Sequence, residues 1–198
     1  QVRSWLAALY SRLQFTRLAR LEHQTCTQAD TVLCVSEADC DTLRQLVPGL
    51  EPVLIPNGIF LHDYPTTVKV SEMTTPALVF TGKMDYRPNV DAVLWFAQKI
   101  LPRVHETHTE ARLIIVGKSP TESVRRLAKH PSITVTGPVP DVRPLIAAAT
   151  VIISPLRMGG GTRFKLLEAM ALMRPIVSTT IGAEGFPVTS GRELLIAD

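Results

Sequence analysis

The chain has 198 residues, and 45% of them are hydrophobic, a composition typical of a globular protein with one large domain or two small ones. Its net charge is only +3, with no basic run and little aromatic interleaving, so nucleic acid is excluded as a partner. No apolar run reaches the roughly 18 residues of a membrane-spanning helix, and no signal-peptide pattern is present. Because the first residue is Gln1, we expect the natural start to lie upstream.

The first part of the chain predicts a long helix and two strands around a second helix. Apolar residues recur at helical spacing from Trp5 to Leu21, which predicts a helix over residues 2 to about 25. Residues 1–22 hold four arginines and one glutamate, so this amphipathic helix has a basic, solvated face; contact with anionic lipid is the weaker alternative. The two buried strands and the helix between them are predicted over residues 31–35, 52–56 and 37–47.

The cysteines lie in this same part of the chain. Cys26, Cys34 and Cys40 are odd in number, and their spacing matches no zinc motif. We interpret them as free thiols in a reducing cytoplasm. Cys34 lies in an apolar run and is expected to pack in the core.

The rest of the chain predicts a linker and then a regular alternation of strands and helices. Residues 59–76 have no period and several turn-forming residues, which is typical of a linker. Strands are predicted over residues 78–82, 113–117, 133–137, 151–154, 175–179 and 194–196. Helices are predicted over residues 89–104, 121–130, 142–149 and 164–173. Apolar, β-branched strands that alternate with helices indicate a parallel, doubly wound α/β sheet.

Three of these predicted strands end in glycine, at Gly82, Gly117 and Gly137. In open α/β sheets, ligands bind at the carboxyl ends of the strands, where glycine permits close approach. Ordinary turn chemistry explains any single glycine well, but it explains the whole row less well. The row therefore favours a ligand site at this edge of the sheet.

A glycine loop joins the strand at 151–154 to the helix at 164–173. Gly159, Gly160 and Gly161 permit a tight turn, and Thr162 is predicted as the N-cap of the helix. The free N–H groups of such a helix start attract anions.

The charges of this helix point in the same direction. Arg163 and Lys165 lie in the first turn, where the helix dipole disfavours cations unless an anion is bound. In the alternative interpretation both are solvated and Lys165 pairs with Glu168. Glu168 is a carboxylate in an otherwise apolar helix, so it either reaches solvent or accepts hydrogen bonds from ligand hydroxyls.

Several enzyme motifs are absent from the sequence. The glycine loop does not continue into the Gly-Lys-Ser/Thr of a P-loop, and no Gly-x-Ser-x-Gly elbow or nicotinamide fingerprint occurs.

Five segments together resemble the group 1 glycosyltransferases, which are family four of the retaining GT-B enzymes. The segments are residues 53–58, 80–84, 114–117, 135–139 and 159–178. The resemblance implies a GT-B fold with two Rossmann-like domains. Residues 1–58 would then be the C-terminal part of the acceptor domain and 59–76 the linker. Residues 77–198 would be a nearly complete donor-binding domain that stops before its final helices, so the chain is expected to be a fragment that is inactive alone.

The resemblance also implies roles for individual residues. Glu168 matches the second glutamate of the family's Glu-x7-Glu motif, which holds the ribose hydroxyls. The first glutamate, which contacts the donor sugar, falls at Gly160, so backbone N–H groups and Arg163 are expected to replace it. The residues that border the base are expected to be Gly137, Pro138 and Val139. The residues that face the diphosphate are expected to be Gly82, Lys83, Gly160, Gly161, Thr162, Arg163 and Lys165.

The implied reaction is transfer of a hexosyl group, with retention and without a metal, from a UDP- or GDP-sugar to a glycan or lipid-linked glycan. No further cofactor is expected, and no catalytic base is assigned, because the acceptor side lies mostly outside this chain. A cytoplasmic location is expected, with at most peripheral contact at the inner face of the membrane, in polysaccharide biosynthesis. Two alternatives are a non-catalytic nucleotide-sugar-binding module and, less favoured, a sugar-nucleotide 2-epimerase.

Overall fold

The computed structural model describes residues 2–65 and 75–198, which form two compact units, Gln1–Asn57 and Gly58–Asp198. The first unit contains helix α1 (Val2–Gln28), strand β1 (Leu33–Cys34), helix α2 (Glu37–Leu46) and strand β2 (Val53–Leu54). The two strands pair in parallel, with Leu33 opposite Val53.

Helix α1 covers the predicted range, but its apolar side chains are exposed. These exposed side chains include Trp5, Leu9, Tyr10, Leu13, Phe15, Leu18 and Leu21. The predicted strands at 31–35 and 52–56 shorten to two residues each, and Leu33 and Val53 are exposed rather than buried. A two-stranded pair covered on one face leaves alternate side chains in solvent, which explains the difference.

The predicted free thiols are confirmed, since Cys26, Cys34 and Cys40 form no disulfide. Cys34 is buried in the first unit, as expected for core packing, and Cys40 is buried as well. Burial, with the neighbouring Cys40 adding to its effect, raises the pKa of the Cys34 thiol to about 11.

The second unit contains one six-stranded parallel sheet. Its strands are β3 (Ala77–Thr81), β4 (Arg112–Val116), β5 (Ile133–Gly137), β6 (Val151–Ser154), β7 (Ile176–Ser178) and β8 (Leu195–Ile196). The spatial order is β5-β4-β3-β6-β7-β8, so the first strand of the unit pairs with both β4 and β6. This is the Rossmann order, and the sheet changes direction of winding between β3 and β6.

Helices cover both faces of this sheet. They are α3 (Arg87–Trp95), α4 (Leu101–His105), α5 (Glu122–Leu127), α6 (Arg143–Ala148) and α7 (Phe164–Ala171). Val79 packs into a core with α6 and α7, while the next residue, Phe80, packs into a second core with α3 and α5. A strand buried on both faces has a continuous apolar sequence, so the alternation of strands and helices was visible in the sequence.

The element bounds of this sheet unit lie within three residues of those predicted. The helix predicted over 89–104 is interrupted by a π-helical turn at Phe96–Ile100 before α4 begins. Pro102 lacks an N–H and its ring would clash with the carbonyl four residues earlier, so the helix widens before it. Within the predicted linker, Leu61–Asp63 form a short 3-10 helix, and residues 66–74 of that linker lie outside the described residues.

Candidate functional site

A cavity of about 470 Å³ opens at the carboxyl ends of β3, β4 and β5, beside the start of α7. This volume lies in the usual range for small-molecule sites. The position, next to the point where the winding of the sheet reverses, is where open α/β sheets bind ligands. The residues that line the cavity are Thr81, Gly82, Lys83, Val116, Gly117, Lys118, Pro138, Val139, Val142, Phe164, Lys165 and Glu168.

Two glycines let the strand ends approach each other beneath this cavity. A Cβ atom at Gly117 would lie 1.7 Å from the Gly82 carbonyl oxygen, so no side chain fits there. A Cβ atom at Gly82 would lie 2.7 Å from Asn89 Nδ2 and 3.3 Å from Lys165 Nζ. The third glycine of the predicted row, Gly137, has φ +70° and precedes the lining residues Pro138 and Val139. The predicted row of glycines therefore lies at one edge of one cavity.

Lys165 is enclosed at the base of the cavity. Its Nζ lies 3.7 Å from the centroid of the Phe80 ring and 3.4 Å from Asn89 Oδ1. Burial lowers the pKa of this ammonium to about 7; the nearby Arg163 lowers it as well, and Glu168 opposes them. Among the ion pairs of the described residues, none joins Lys165 to Glu168, so the alternative pairing considered for them is not formed.

The glycine loop folds back on itself before α7. The Arg163 guanidinium donates through Nη1 to the carbonyls of Gly160 and Gly161. The prediction that Thr162 is the N-cap is wrong: the N-cap is Arg163, which keeps extended backbone angles and whose carbonyl accepts from Leu166 N at 2.9 Å. The helix itself begins at Phe164, as predicted, and only the N-cap assignment changes. Gly160, Gly161, Thr162 and Arg163 lie in this loop and are not among the residues that line the cavity.

Glu168 lies one turn after Lys165 and also lines the cavity. Its Oε1 accepts a hydrogen bond from the Tyr64 hydroxyl at 3.1 Å. Burial raises the pKa of the Glu168 carboxyl, whereas the Tyr64 hydrogen bond and the charge of Lys165 lower it. Sequence reasoning missed Tyr64, because 104 residues separate it from Glu168 and no periodicity marks the segment that carries it.

Two exposed lysines stand at the cavity entrance. Lys83, which was predicted to face the diphosphate, is 55% exposed, and its Nζ lies 3.3 Å from Asp85 Oδ2. Lys118 was not predicted, although it follows Gly117 just as Lys83 follows Gly82, so the repeated Gly-Lys pair was a usable signal. The Lys118 carbonyl accepts from Met84 N at 2.9 Å, which joins the two loops.

Within residues 2–65 and 75–198, no group of three or more His, Cys, Asp or Glu side chains is placed to hold a metal ion. No helix in the same described ranges is long and apolar enough to cross a membrane.

Comparison with known proteins relates the chain to one family. The family model described as glycosyl transferases group 1 matches residues 75–198. An uncharacterized 44.6 kDa protein from the cps region of Klebsiella pneumoniae is 26% identical over 179 residues, which is 85% of this chain and 44% of that protein. A phosphatidyl-myo-inositol mannosyltransferase of Propionibacterium freudenreichii is 26% identical over 162 residues, which is 79% of this chain and 40% of that one. The chain thus spans less than half the length of these relatives.

Solved structures with the same fold include HepE of Anabaena in complex with UDP-glucose, with a TM-score of 0.70 and 16% identity over 90% of this chain and 53% of that one. TarM has a TM-score of 0.72 and 14% identity, covering 90% of this chain and 35% of TarM. Sucrose-phosphate synthase from Thermosynechococcus elongatus has a TM-score of 0.66 and 19% identity, covering 90% and 47%. At these identities the likeness shows the fold, and the predicted α/β fold of GT-B type is confirmed.

Proposed function

Because this chain belongs to the group 1 glycosyl transferases, we propose that residues 77–198 bind a nucleoside diphosphate sugar as glycosyl donor. We infer that residues 1–58 belong to an acceptor domain and 59–76 to the linker between the domains. One observation carries the donor-site proposal: Lys165 and Glu168 lie one turn apart on α7 and line the same cavity at the carboxyl ends of parallel strands. A cation and an acceptor-only carboxylate at that spacing match the diphosphate and the ribose of one nucleotide.

The diphosphate lies against the start of α7 in this proposal. Lys165 is held over the Phe80 ring, and burial lowers its pKa to about 7, so the charged ammonium is disfavoured in the free protein. A bound diphosphate favours the charged form and offsets the free energy of burying it. Further N–H donors for the diphosphate come from the strand end at Gly82 and from the loop residues Gly160, Gly161, Thr162 and Arg163.

The nucleoside lies toward Glu168 and the β5 end. An ionised carboxylate accepts from both O–H donors of a vicinal diol, which suits the ribose. Pro138 and Val139 supply an apolar wall, and Gly137 turns the chain beneath it, so a flat base fits beside them. Lys83 stands at the entrance, where it adds positive charge to the diphosphate end.

The chemistry follows from this placement. Transfer of the glycosyl group leaves a diphosphate whose developing charge needs fixed positive groups. Lys165 and the N–H groups at the start of α7 supply them, so we propose a metal-independent transfer with retention to a hydroxyl acceptor. Since Gly160 carries no carboxylate, backbone N–H groups of the glycine loop and Arg163 contact the donor sugar.

The comparisons favour particular substrates for the proposed reaction. HepE structures contain UDP and UDP-glucose, which favours a UDP-sugar over a GDP-sugar as donor, and a hexosyl group as the one transferred. A relative lies in a cps region, and another is a phosphatidyl-myo-inositol mannosyltransferase, which favour a glycan or lipid-linked glycan acceptor in polysaccharide biosynthesis. We therefore propose a cytoplasmic protein with at most peripheral contact at the inner face of the membrane.

Calorimetric titration tests the donor site directly. The folded chain is titrated with UDP, GDP, ADP and CDP in a chelator, and again with Mg²⁺. We expect saturable binding of one nucleotide without metal, and binding at least severalfold weaker in Glu168→Ala, with an unchanged circular dichroism spectrum. A folded chain that binds none of the four nucleotides would contradict the donor site. Unchanged affinity in the variant would show that Glu168 is only a helix residue.

A non-catalytic nucleotide-sugar-binding module is the second candidate. Gly160, which stands where the family's first motif glutamate is expected, favours it, because one contact to the donor sugar is missing. Turnover separates the two candidates. Release of UDP from UDP-glucose by the full-length protein, dependent on an acceptor glycan, supports the enzyme, whereas binding without release supports the module.

A further inference from the structure

The hydrogen bond between Tyr64 and Glu168 joins the end of the 3-10 helix to α7. The proposed donor site does not by itself assign Tyr64 a role. The Tyr64 hydroxyl donates to Glu168 Oε1 at 3.1 Å. Tyr64 is partly buried and packs against the hydrophobic core to which α6 and α7 contribute. The hydrogen bond therefore lies at the packed surface of α6 and α7 and does not join two solvated side chains.

Hydrogen bonds also fix the backbone around Tyr64 to the start of α6. Tyr64 N donates to the Leu61 carbonyl at 3.0 Å, which closes the short 3-10 helix. The next carbonyl back, that of Asp63, accepts from Arg143 Nη1, and Arg143 Nε is held by Asp141 Oδ1 at 2.9 Å. Arg143 begins α6 directly after Val142, which lines the cavity. The segment that carries Tyr64 is thus anchored to α6, while the acceptor of the Tyr64 hydroxyl lies on α7.

With this hydrogen bond in place, the Glu168 carboxylate still has acceptor sites for both hydroxyls of a diol. A carboxylate accepts about four hydrogen bonds, so one phenol donor leaves room for two ribose hydroxyls. Only the ionised form accepts from all three donors. Burial raises the pKa of Glu168, and the Tyr64 hydrogen bond opposes that rise, so the phenol favours the form that a ribose needs.

We propose that Tyr64 is a positioning residue for nucleoside recognition: through its hydroxyl it holds the Glu168 carboxylate where the 2′- and 3′-hydroxyls of a nucleoside diphosphate bind. The proposal rests on the proposed donor site. It makes the segment Leu61–Tyr64, which precedes the sheet, a determinant of selectivity for ribonucleotides.

The first test compares ribose with deoxyribose in the wild type and in Tyr64→Phe. Affinities for UDP and 2′-deoxy-UDP are measured by calorimetry, with GDP and 2′-deoxy-GDP as a second pair. We expect the wild type to prefer the ribonucleotide about tenfold, which is the size of one hydrogen bond to a charged group. We expect that preference to fall to about threefold or less in Tyr64→Phe, because Glu168 is no longer held. Tyr10→Phe is the matched control, since it also deletes a phenol hydroxyl with a side-chain partner, Gln14, but in the first unit.

The second test is the acid limb of the pH profile of UDP affinity. The charged and titratable groups that face the Tyr64–Glu168 pair are Lys165 on α7, Arg143 at the start of α6, and Asp63 in the 3-10 helix. The Tyr64 hydrogen bond lowers the pKa of Glu168, so its loss in Tyr64→Phe raises that pKa. The acid limb is therefore expected to move to higher pH in this variant. Replacement of Tyr64 by 3-fluorotyrosine, which has the same shape and is a stronger donor, is expected to move the limb to lower pH. A purely structural tyrosine would leave the limb in place.

The outcomes separate the two proposals. A wild type that binds none of UDP, GDP, ADP and CDP overturns the donor site, and this inference with it. A wild type that binds, together with an unchanged ribose preference in Tyr64→Phe, overturns only the role of Tyr64. Tighter UDP binding by Tyr64→Phe also overturns it, because Tyr64 would then compete with the ribose for Glu168. Should Tyr64→Phe lose its circular dichroism spectrum, the fluorotyrosine variant alone decides, through the direction in which the acid limb moves.

Discussion

The starts of helices α2 and α7 differ in how their free backbone N–H groups are satisfied. At α2, Ser36 is the N-cap and its Oγ accepts from Asp39 N at 3.1 Å, while Glu37 and Asp39 place negative charge in the first turn. At α7 the N-cap is Arg163, which makes no side-chain capping hydrogen bond, and the first turn holds no acidic residue.

This difference indicates what each helix start is for. A capping side chain and first-turn carboxylates satisfy free N–H groups and oppose the helix dipole, and a cap alone stabilises a protein by about 0.5–2 kcal/mol. Helix α7 does without these contributions and adds a cation, Lys165, whose pKa is lowered by burial. A helix start that is unfavourable for the free protein becomes favourable when a diphosphate supplies the negative charge. We therefore propose that stability dominates at α2 and that binding dominates at α7.

The largest expected effect is the loss of nucleotide binding in Lys165→Met. Methionine, which is one atom shorter, keeps an unbranched apolar side chain beside Phe80 but removes the charge that we place against the diphosphate. We expect UDP affinity to fall by about 100-fold, the upper range for a charge-assisted hydrogen bond in an enclosed site. The free energy of unfolding without nucleotide should stay the same or rise, because a buried ammonium is removed.

Calorimetry and urea denaturation measure these two quantities. Lys129→Met is the matched control, since Lys129 is exposed and does not line the cavity. A loss of affinity below threefold in Lys165→Met would show that α7 does not differ from α2 in the way we describe.

The pH dependence of binding is the next effect in size. The pKa of Lys165 is about 7 in the free protein, and a bound diphosphate raises it, because the anion favours the ammonium. Affinity is then fully present below pH 7 and falls as the pH rises above 7 toward the higher pKa of the complex. We expect UDP affinity to drop about tenfold between pH 7 and pH 8.5, a range in which the phosphates, with a second pKa of about 6, are already ionised.

Titrations at several pH values in two buffers of different ionisation heat check this prediction, because proton uptake appears as a buffer-dependent heat. The Lys165→Met variant serves as reference and should show a flat profile above pH 7. A wild-type profile that is equally flat would mean that Lys165 is fully charged in the free protein.

Ser36→Ala tests the other helix start. Loss of the capping hydroxyl should lower the free energy of unfolding of the first unit by about 1 kcal/mol, measured by chemical denaturation. Ser36→Gly is the matched control, because glycine at an N-cap lowers stability by only a few tenths of a kcal/mol. UDP affinity should be the same in both variants. A change in UDP affinity would mean that α2 also contributes to the nucleotide site.

The sequence predicted the sheet of the second unit well because its central strands are buried on both faces. Leu113 and Ile115 belong to one core and Val79 to the other, and such continuous apolar runs are hard to mistake when helices separate them. The strands of the first unit were predicted too long and as fully buried. Leu33 and Val53 are exposed because only one face of a two-stranded pair is covered.

The candidate site was predictable where its chemistry is local in sequence. Lys165 and Glu168 stand out as the polar residues of an apolar helix that follows three glycines. The orientation of Arg163, which folds back on the loop carbonyls, depends on the conformation of the loop, and no pattern encodes it. The Tyr64 contact depends on docking of the 3-10 helix on α6, which only the folded chain brings about.

The smallest effect is expected for Lys83→Ala. Lys83 is 55% exposed, and Asp85 already lies 3.3 Å from its Nζ, so its charge is partly compensated and screened before any ligand arrives. We expect UDP affinity to fall about threefold in 50 mM salt, less in 300 mM salt, and uridine affinity to stay unchanged. The variant Asp85→Asn should have the opposite effect on UDP, because it removes the competing carboxylate. Equal losses for UDP and uridine in Lys83→Ala would contradict a phosphate role. A loss as large as that in Lys165→Met would mean that enclosure over Phe80 gives Lys165 no advantage over an exposed lysine, and the contrast between the two helix starts would then lose its main support.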